Sequence, residues 1–204
     1  MEHFNSLTST VPYATTFYEY DAELRIIRIK DESGNIKKQY NYEGDKIVSI
    51  ENAVSTMYFT YNEQDLVISS SELRNGLLIE YEHEYNNLEQ RVTYTQYLDG
   101  VFQCEINLSY DTANNVVLRE NSCVSYNVAY EHDTMNHINM LLFSPQMRKY
   151  FGSASNNTTL TRLGSISQNQ FFYEYNDQGF PSVINSPGDQ EGVRYRQEYT
   201  YEFL

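Results

Sequence analysis

The chain has no tryptophan and only two cysteines, and its 14 lysines and arginines face 28 aspartates and glutamates, for a formal net charge of -14. The shortage of basic residues argues against nucleic acid, because phosphate binding is driven by Lys and Arg displacing counterions. An anionic membrane surface is disfavoured on the same ground. The charge serves solubility, with attraction of a cationic partner as the other use. No apolar run approaches the ~18 to 20 residues of a membrane helix. Met1-Glu2-His3-Phe4-Asn5 lacks both the basic start and the apolar stretch of a signal peptide. The expectation is therefore either a cytoplasmic protein or one whose leader has already been removed.

Catalytic signatures are missing too. There is no Gly-x-Ser-x-Gly elbow, since Leu163-Gly164-Ser165-Ile166-Ser167 does not make one. No glycine loop is built to cradle phosphate. Of the histidines His3, His83, His132 and His137, the last two are five apart, which suits neither a helical metal pair nor a zinc knuckle. Glu131-His132-Asp133 reads as a solvated loop start rather than a cation site. Glu80, Glu82, Glu84 and Glu105 offer carboxylates, but no local signal selects an opposed pair of the kind a glycosidase places across a cleft. The expectation is no catalytic, cofactor-binding or metal-binding residues, and no cofactor.

What the chain has is tyrosine: 20 Tyr and 10 Phe, a composition that favours pleated, half-buried strands. A tyrosine followed by a short polar residue recurs as Tyr20-Asp21, Tyr42-Glu43, Tyr61-Asn62, Tyr85-Asn86, Tyr110-Asp111, Tyr130-Glu131 and Tyr175-Asn176. The intervals are 22, 19, 24, 25, 20 and 45, the last close to twice the others. Each unit reads as a hairpin, with Asp, Asn and Gly supplying the turns. Alternation is clean: Leu77, Ile79, Tyr81, His83 and Tyr85 oppose Leu78, Glu80, Glu82 and Glu84, which gives one wet face and one aromatic face. Core packing is the expected role of most tyrosines, and of His83 between Tyr81 and Tyr85. The lack of Trp weakens the case for sugar stacking.

One stretch breaks the rhythm. Met135, Ile138, Leu141 and Leu142 recur at helical spacing, Ser144-Pro145 looks like a helix start, and Gly152 a stop after Gln146 to Phe151. The fold class expected is all-β: one domain over 1–204, an antiparallel up-and-down meander of about 13 strands curled into a barrel or half-barrel. Residues 1–14 form an irregular N-terminal segment, and a helical insert with its loop occupies 135–158. A barrel that wide is not filled by strand side chains alone, so the insert near 135–152 is expected on the apolar concave face. Mid-strand tyrosines and short strands speak against an outer-membrane barrel.

Cys104 and Cys123 flank a turn around Asp111 to Asn115 and lie near one another. Phe102, Cys104, Ile106, Leu108 and Tyr110 share a face, whereas Val116, Leu118, Val124, Tyr126 and Val128 leave Cys123 on the opposite parity. A disulfide then requires a bulge, and two buried free thiols are the alternative.

Tyr175-Asn176-Asp177-Gln178-Gly179-Phe180-Pro181 resembles the YD-type repeat, and Tyr20-Asp21-Ala22-Glu23-Leu24-Arg25-Ile26 and Tyr61-Asn62-Glu63-Gln64-Asp65-Leu66 resemble it more loosely. From about Thr15 to Phe203 the layout also resembles a family of Bacteroidetes lipoproteins, a domain of unknown function with a porin-like fold. That resemblance implies a curved sheet and an exported, lipid-anchored precursor in the periplasm or on the cell surface. It implies no activity, and the lipobox cysteine is absent. The function expected is a non-catalytic exported binding or structural module with a glycan or protein ligand. The alternative is a carboxylate-based hydrolase acting on carbohydrate.

Overall fold

The structure is a computed structural model of the 204-residue chain and describes residues 2–4, 14–137, 147, 150, 156–164, 167–186 and 195–199. Its local unit is a turn written as Tyr-Asx. The Asp21 carboxylate accepts the N–H of Glu23 at 3.1 Å and that of Arg25 at 2.9 Å. Asp21 N–H donates to the Arg25 carbonyl and Leu24 N–H to that of Asp21, closing the same loop. Asn62, Asn86, Asp111 and Asn176 repeat the pattern. Only a short side chain with an oxygen close to its own backbone can reach both amides, which is why each position is Asp or Asn. The third residue after each Asx has a positive φ and is Leu24, Asp65, Glu89, Asn114 or Gly179. Only Gly179 adopts it without steric cost.

A bulge lies opposite each tyrosine. Tyr20 pairs with Ile26 while Glu19 pairs with Arg28, so Ile27 is skipped. The register slips in the same way beside Tyr42, Tyr61, Tyr85, Tyr110 and Tyr175. A bulge disrupts the ladder locally and sharpens the strand's twist. The tyrosine of the next hairpin bonds the carbonyl left there. Tyr42 Oη donates to the Ile26 carbonyl at 2.8 Å, Tyr61 to Ile47 at 2.7 Å, Tyr85 to Val67 at 2.9 Å and Tyr110 to Arg91 at 2.7 Å. Burial pushes the Tyr42 and Tyr85 phenols up to about 12, so they remain donors at neutral pH. The fifth link comes from His132, whose Nε2 lies 2.8 Å from the Val116 carbonyl. The anchor expected at Tyr130-Glu131 therefore moves two residues on, to His132-Asp133. Asp133 accepts the Met135 N–H as an Asx does.

The strands are β1 (Glu2–Phe4), β2 (Ala14–Tyr20), β3 (Ile26–Asp31), β4 (Ile36–Glu43), β5 (Lys46–Asn52), β6 (Ser55–Tyr61), β7 (Val67–Arg74), β8 (Leu77–Tyr85) and β9 (Arg91–Leu98). They continue as β10 (Val101–Tyr110), β11 (Val116–Asn121), β12 (Val128–Asn136), β13 (Asn156–Leu163), β14 (Ser167–Gln170), β15 (Phe172–Tyr175), β16 (Pro181–Ser186) and β17 (Tyr195–Glu198). From β2 to β14 each strand pairs antiparallel with its neighbours in the chain, the expected thirteen-strand meander. Four short strands extend it: β15 pairs with β16, β16 with β17, and β1 lies between β17 and β2. Residues 2–4, expected to be irregular, thus form a strand. Strands β14 and β15 are consecutive in the chain across Phe171.

Directly paired residues face the same way. The row Phe59, Ser70, Tyr81, Gln96 and Cys104 therefore marks one inner face across five strands. The outer row Glu82, Thr95 and Glu105 is polar. On the inner face Ile26, Tyr40, Ile47, Phe59 and Val67 form a core with Met147 and Tyr150. These last two are helical and buried, and three residues apart they share one side of their helix. The two described helical residues of the expected insert thus pack on the apolar face. Ile138, Leu141, Leu142, Ser144, Pro145, Gln146, Phe151 and Gly152 lie outside the described residues, as does 153–155. Met135, expected to open the insert, belongs to β12 instead, in the irregularity between the pairs His132–Thr158 and Asn136–Asn156.

A second cluster holds Cys104, Ile106, Leu108 and Val116. Cys104 is bonded to Cys123 with Cα atoms 5.4 Å apart, so the free-thiol alternative is corrected. The parity argument misplaced Cys123, together with Val124 and Tyr126. Strand β11 ends at Asn121, and Cys123 sits in the following turn, where alternation imposes nothing. On the other side β10 slips against β9 between Phe102 and Cys104.

Two stability predictions follow from these contacts. Tyr85→Phe removes one hydroxyl staple and should lower urea-unfolding stability by about 1 to 2 kcal/mol. Tyr58→Phe, on a ring 57% exposed, should change it by less than about 0.5 kcal/mol. Equal effects would mean the staples contribute nothing. Reducing the disulfide, which spans 19 residues, should cost about 3 kcal/mol by the same measurement.

Candidate functional site

The inner face has two unlike halves. On β3 to β8 it is covered by Met147 and Tyr150. Met147 Sδ lies 3.3 Å from Tyr61 Oη, and the Tyr150 ring meets Phe59 edge-on at 5.1 Å and His83 at 5.0 Å. Ser70 Oγ is 3.1 Å from Tyr150 Oη and 3.3 Å from His83 Nε2. This contact seats the helical segment on the wall through a polar lock inside an apolar patch, and the buried pair must be satisfied for the segment to stay.

Ser70 and His83 are a nucleophile and a base at hydrogen-bond range, so their chemistry needs judging. Ser70 is 4% exposed and His83 7%. Burial, and then the neighbouring Arg91 charge, lower His83 to about 3, which makes it a poor general base at neutral pH. Its Nδ1 has no hydrogen-bond partner, so no acid orients the ring as a triad does. The pair is packing, as expected of His83. The buried Glu72 is neutralised where it stands: it accepts from Ser55 Oγ and pairs with Arg74 at 2.9 Å. Neither Glu72 nor Ser70 was singled out from the sequence. The signal was there, since both share the inward parity of β7.

On β8 to β13 the inner face carries the buried cluster of Cys104, Ile106, Leu108 and Val116 with a half-buried margin around it. Every residue of β9 is only half-buried, and so are Tyr110, Arg119 and Tyr130. Arg91 lies over the Tyr94 ring at 4.6 Å and faces the Tyr150 ring at 5.3 Å. Arg119 pairs across the sheet with the buried Leu108, and so shares its face, and its charge acts on the Tyr130 hydroxyl. Inward side chains that solvent still reaches line a space rather than a core.

Glu80, Glu82 and Glu84 stay on the outer wall, where Glu82 accepts the Tyr97 hydroxyl at 3.0 Å, and Glu105 beside them accepts from Asn107 at 3.1 Å. None opposes another across a cleft. Glu131, His132 and Asp133 are not brought together: Glu131 pairs with Arg162 at 2.7 Å, His132 bonds Val116, and Asp133 accepts from Tyr175 Oη and from Asn157 N–H at 3.1 Å. Among the described residues no three His, Cys, Asp or Glu side chains are placed to hold a metal.

The buried His83 makes a pH prediction. Unfolded histidine titrates near 6.5 and folded His83 near 3, so between these values the unfolded chain binds the extra proton. Stability is retained above about pH 6.5 and is lost as pH falls toward 3, by up to about 1.4 kcal/mol per unit. His83→Gln should flatten that limb when urea midpoints are compared at pH 7 and 4.5. A wild-type limb no steeper than the variant's would mean that the imidazole charges inside the fold.

No family model matches the chain, and no curated protein matches it. Among solved structures it is similar to a porin-like protein from Bacteroides uniformis, at 14% identity and a TM-score of 0.66 over 97% of this chain and 94% of that one. That likeness is one of fold. A second match, to a structure of TcdB2-TccC3-Cdc42, has a TM-score of 0.38 at 14% identity and covers 96% of this chain but 11% of the other, too weak to bear on the fold.

Proposed function

We propose that the chain is a non-catalytic, exported module of the cell envelope that binds a ligand on the β8 to β13 half of its inner face. The observation that carries this is the contrast between the two sides of one wall. The outer side of β8 to β10 carries Glu80, Glu82, Glu84, Thr95 and Glu105, whereas the inner side offers half-exposed Tyr94, Tyr110 and Tyr130 with Arg91 and Arg119 among them. Amphipathic rings beside fixed charges are what a binding surface uses. The disulfide supports export, because such bonds persist in oxidising compartments and are rare in the cytosol. The fold likeness to a porin-like protein agrees with an envelope location. The outward carboxylates of Glu80, Glu82, Glu84 and Glu105 suit a wall bathed in water. A lipid anchor on the precursor remains part of this reading.

The test is a glycan array together with a general hydrolase screen on the purified chain, and fractionation of cells producing the precursor. Saturable binding without turnover, and recovery in the envelope fraction with the disulfide intact, are the expected results. Turnover of any glycoside that disappears on substitution of a carboxylate would replace this reading with a hydrolase.

A further inference from the structure

Among the described residues, two guanidinium groups on the inner face of β9 and β11 have no counter-charge. Arg91 and Arg119 are each half-buried with Nε sealed from solvent and unbonded. Among the described residues neither is in an ion pair. Arg25, by contrast, pairs with Asp21 at 2.7 Å, and Arg74 and Arg162 pair with Glu72 and Glu131. In a chain with twice as many acidic as basic residues, leaving two arginines unpaired on an inward face is costly, since a partly desolvated charge needs a partner. The stretch 138–155 contains no Asp or Glu to supply one.

The two arginines belong to one patch. Arg91 covers the Tyr94 ring, Tyr94 and Tyr130 pack on the same apolar cluster, and the Arg119 charge acts on the Tyr130 hydroxyl. Strands β9 and β11 flank β10, which puts their backbones about 10 Å apart. Arginine side chains from the two can reach a common point between them. Guanidinium groups match carboxylate, sulfate and phosphate oxygens, and the two phenol rings present faces to the rest of the molecule.

Resting on the binding reading above, we propose that Arg91 and Arg119 are the acid-recognising pair of a site for a small organic anion, with Tyr94 and Tyr130 holding its ring. The anion supplies the missing counter-charge. Tyr150, 5.3 Å from Arg91, forms the boundary with the covered half.

The test follows the arginine Nε–Hε cross-peaks of the intact 15N-labelled protein by NMR while glucuronate or benzoate is added, with glucose and benzyl alcohol as neutral counterparts. The expected result is saturable shifts of the Arg91 and Arg119 signals with at least one acid and not with its neutral counterpart. Arg91→Gln and Arg119→Gln should each weaken that binding about tenfold. Each should leave the urea midpoint unchanged or raised, because an unpaired charge has been removed. Absence of shifts with both acids in the wild type, equal response to the neutral compounds, or unweakened binding by the variants would overturn the site. Neutral glycans bound equally by wild type and variants would sink the arginine pair and leave the binding module standing. Silence here and on the array would sink both.

Discussion

The rest of the molecule depends on a hydrogen bond between a tyrosine hydroxyl and a carbonyl one hairpin upstream. Each Asx turn is followed by a bulge, and each bulge leaves a carbonyl the ladder does not use well. In a protein of this size that defect, repeated along one rim, would be a serious liability, because unsatisfied backbone groups cost about as much as the interactions that stabilise a strand. The next tyrosine removes it, and in doing so couples neighbouring hairpins. The links Tyr42 to Ile26, Tyr61 to Ile47, Tyr85 to Val67 and Tyr110 to Arg91 run in order along the wall. Bulge and staple therefore need each other: the bulge bends and twists the strands so that the sheet curls, and the staple makes bending tolerable.

Curvature creates the second constraint, an interior too wide for strand side chains alone. The protein meets it unevenly. One half is sealed by Met147 and Tyr150, seated by contact with Phe59 and by the polar lock of Ser70 and His83. The other keeps tyrosines and arginines within reach of solvent. The same enclosure that lowers His83 leaves Arg91 and Arg119 partly desolvated. A fold with no evident catalytic machinery can thus still carry a chemically distinct surface.

Much of the architecture was legible along the chain. Tyr-Asx spacing marked the hairpins, alternation assigned Tyr81, His83 and Tyr85 inward, and the doubled interval located the segment that covers the apolar face. The misreadings share a cause. Tyr130 was taken for an anchor because the repeat was read as a tyrosine pattern, whereas the slot demands a donor able to reach the Val116 carbonyl, and His132 meets that demand. Cys123 was placed by parity on a strand that had already ended at Asn121.

By itself the sequence determined what depends on near neighbours: the Asx turns, the two-residue alternation and the all-β class, because these follow from a residue's own backbone preferences and those within about four positions of it. Only the tertiary structure decided which carbonyl each hydroxyl reaches, that Cys104 and Cys123 are joined, and that Arg91 and Arg119 have no acidic partner among the described residues beside Tyr94 and Tyr130. The hydroxyl links and the disulfide join residues 14 or more positions apart, where register slips accumulate at every bulge, and a parity count cannot be carried across them.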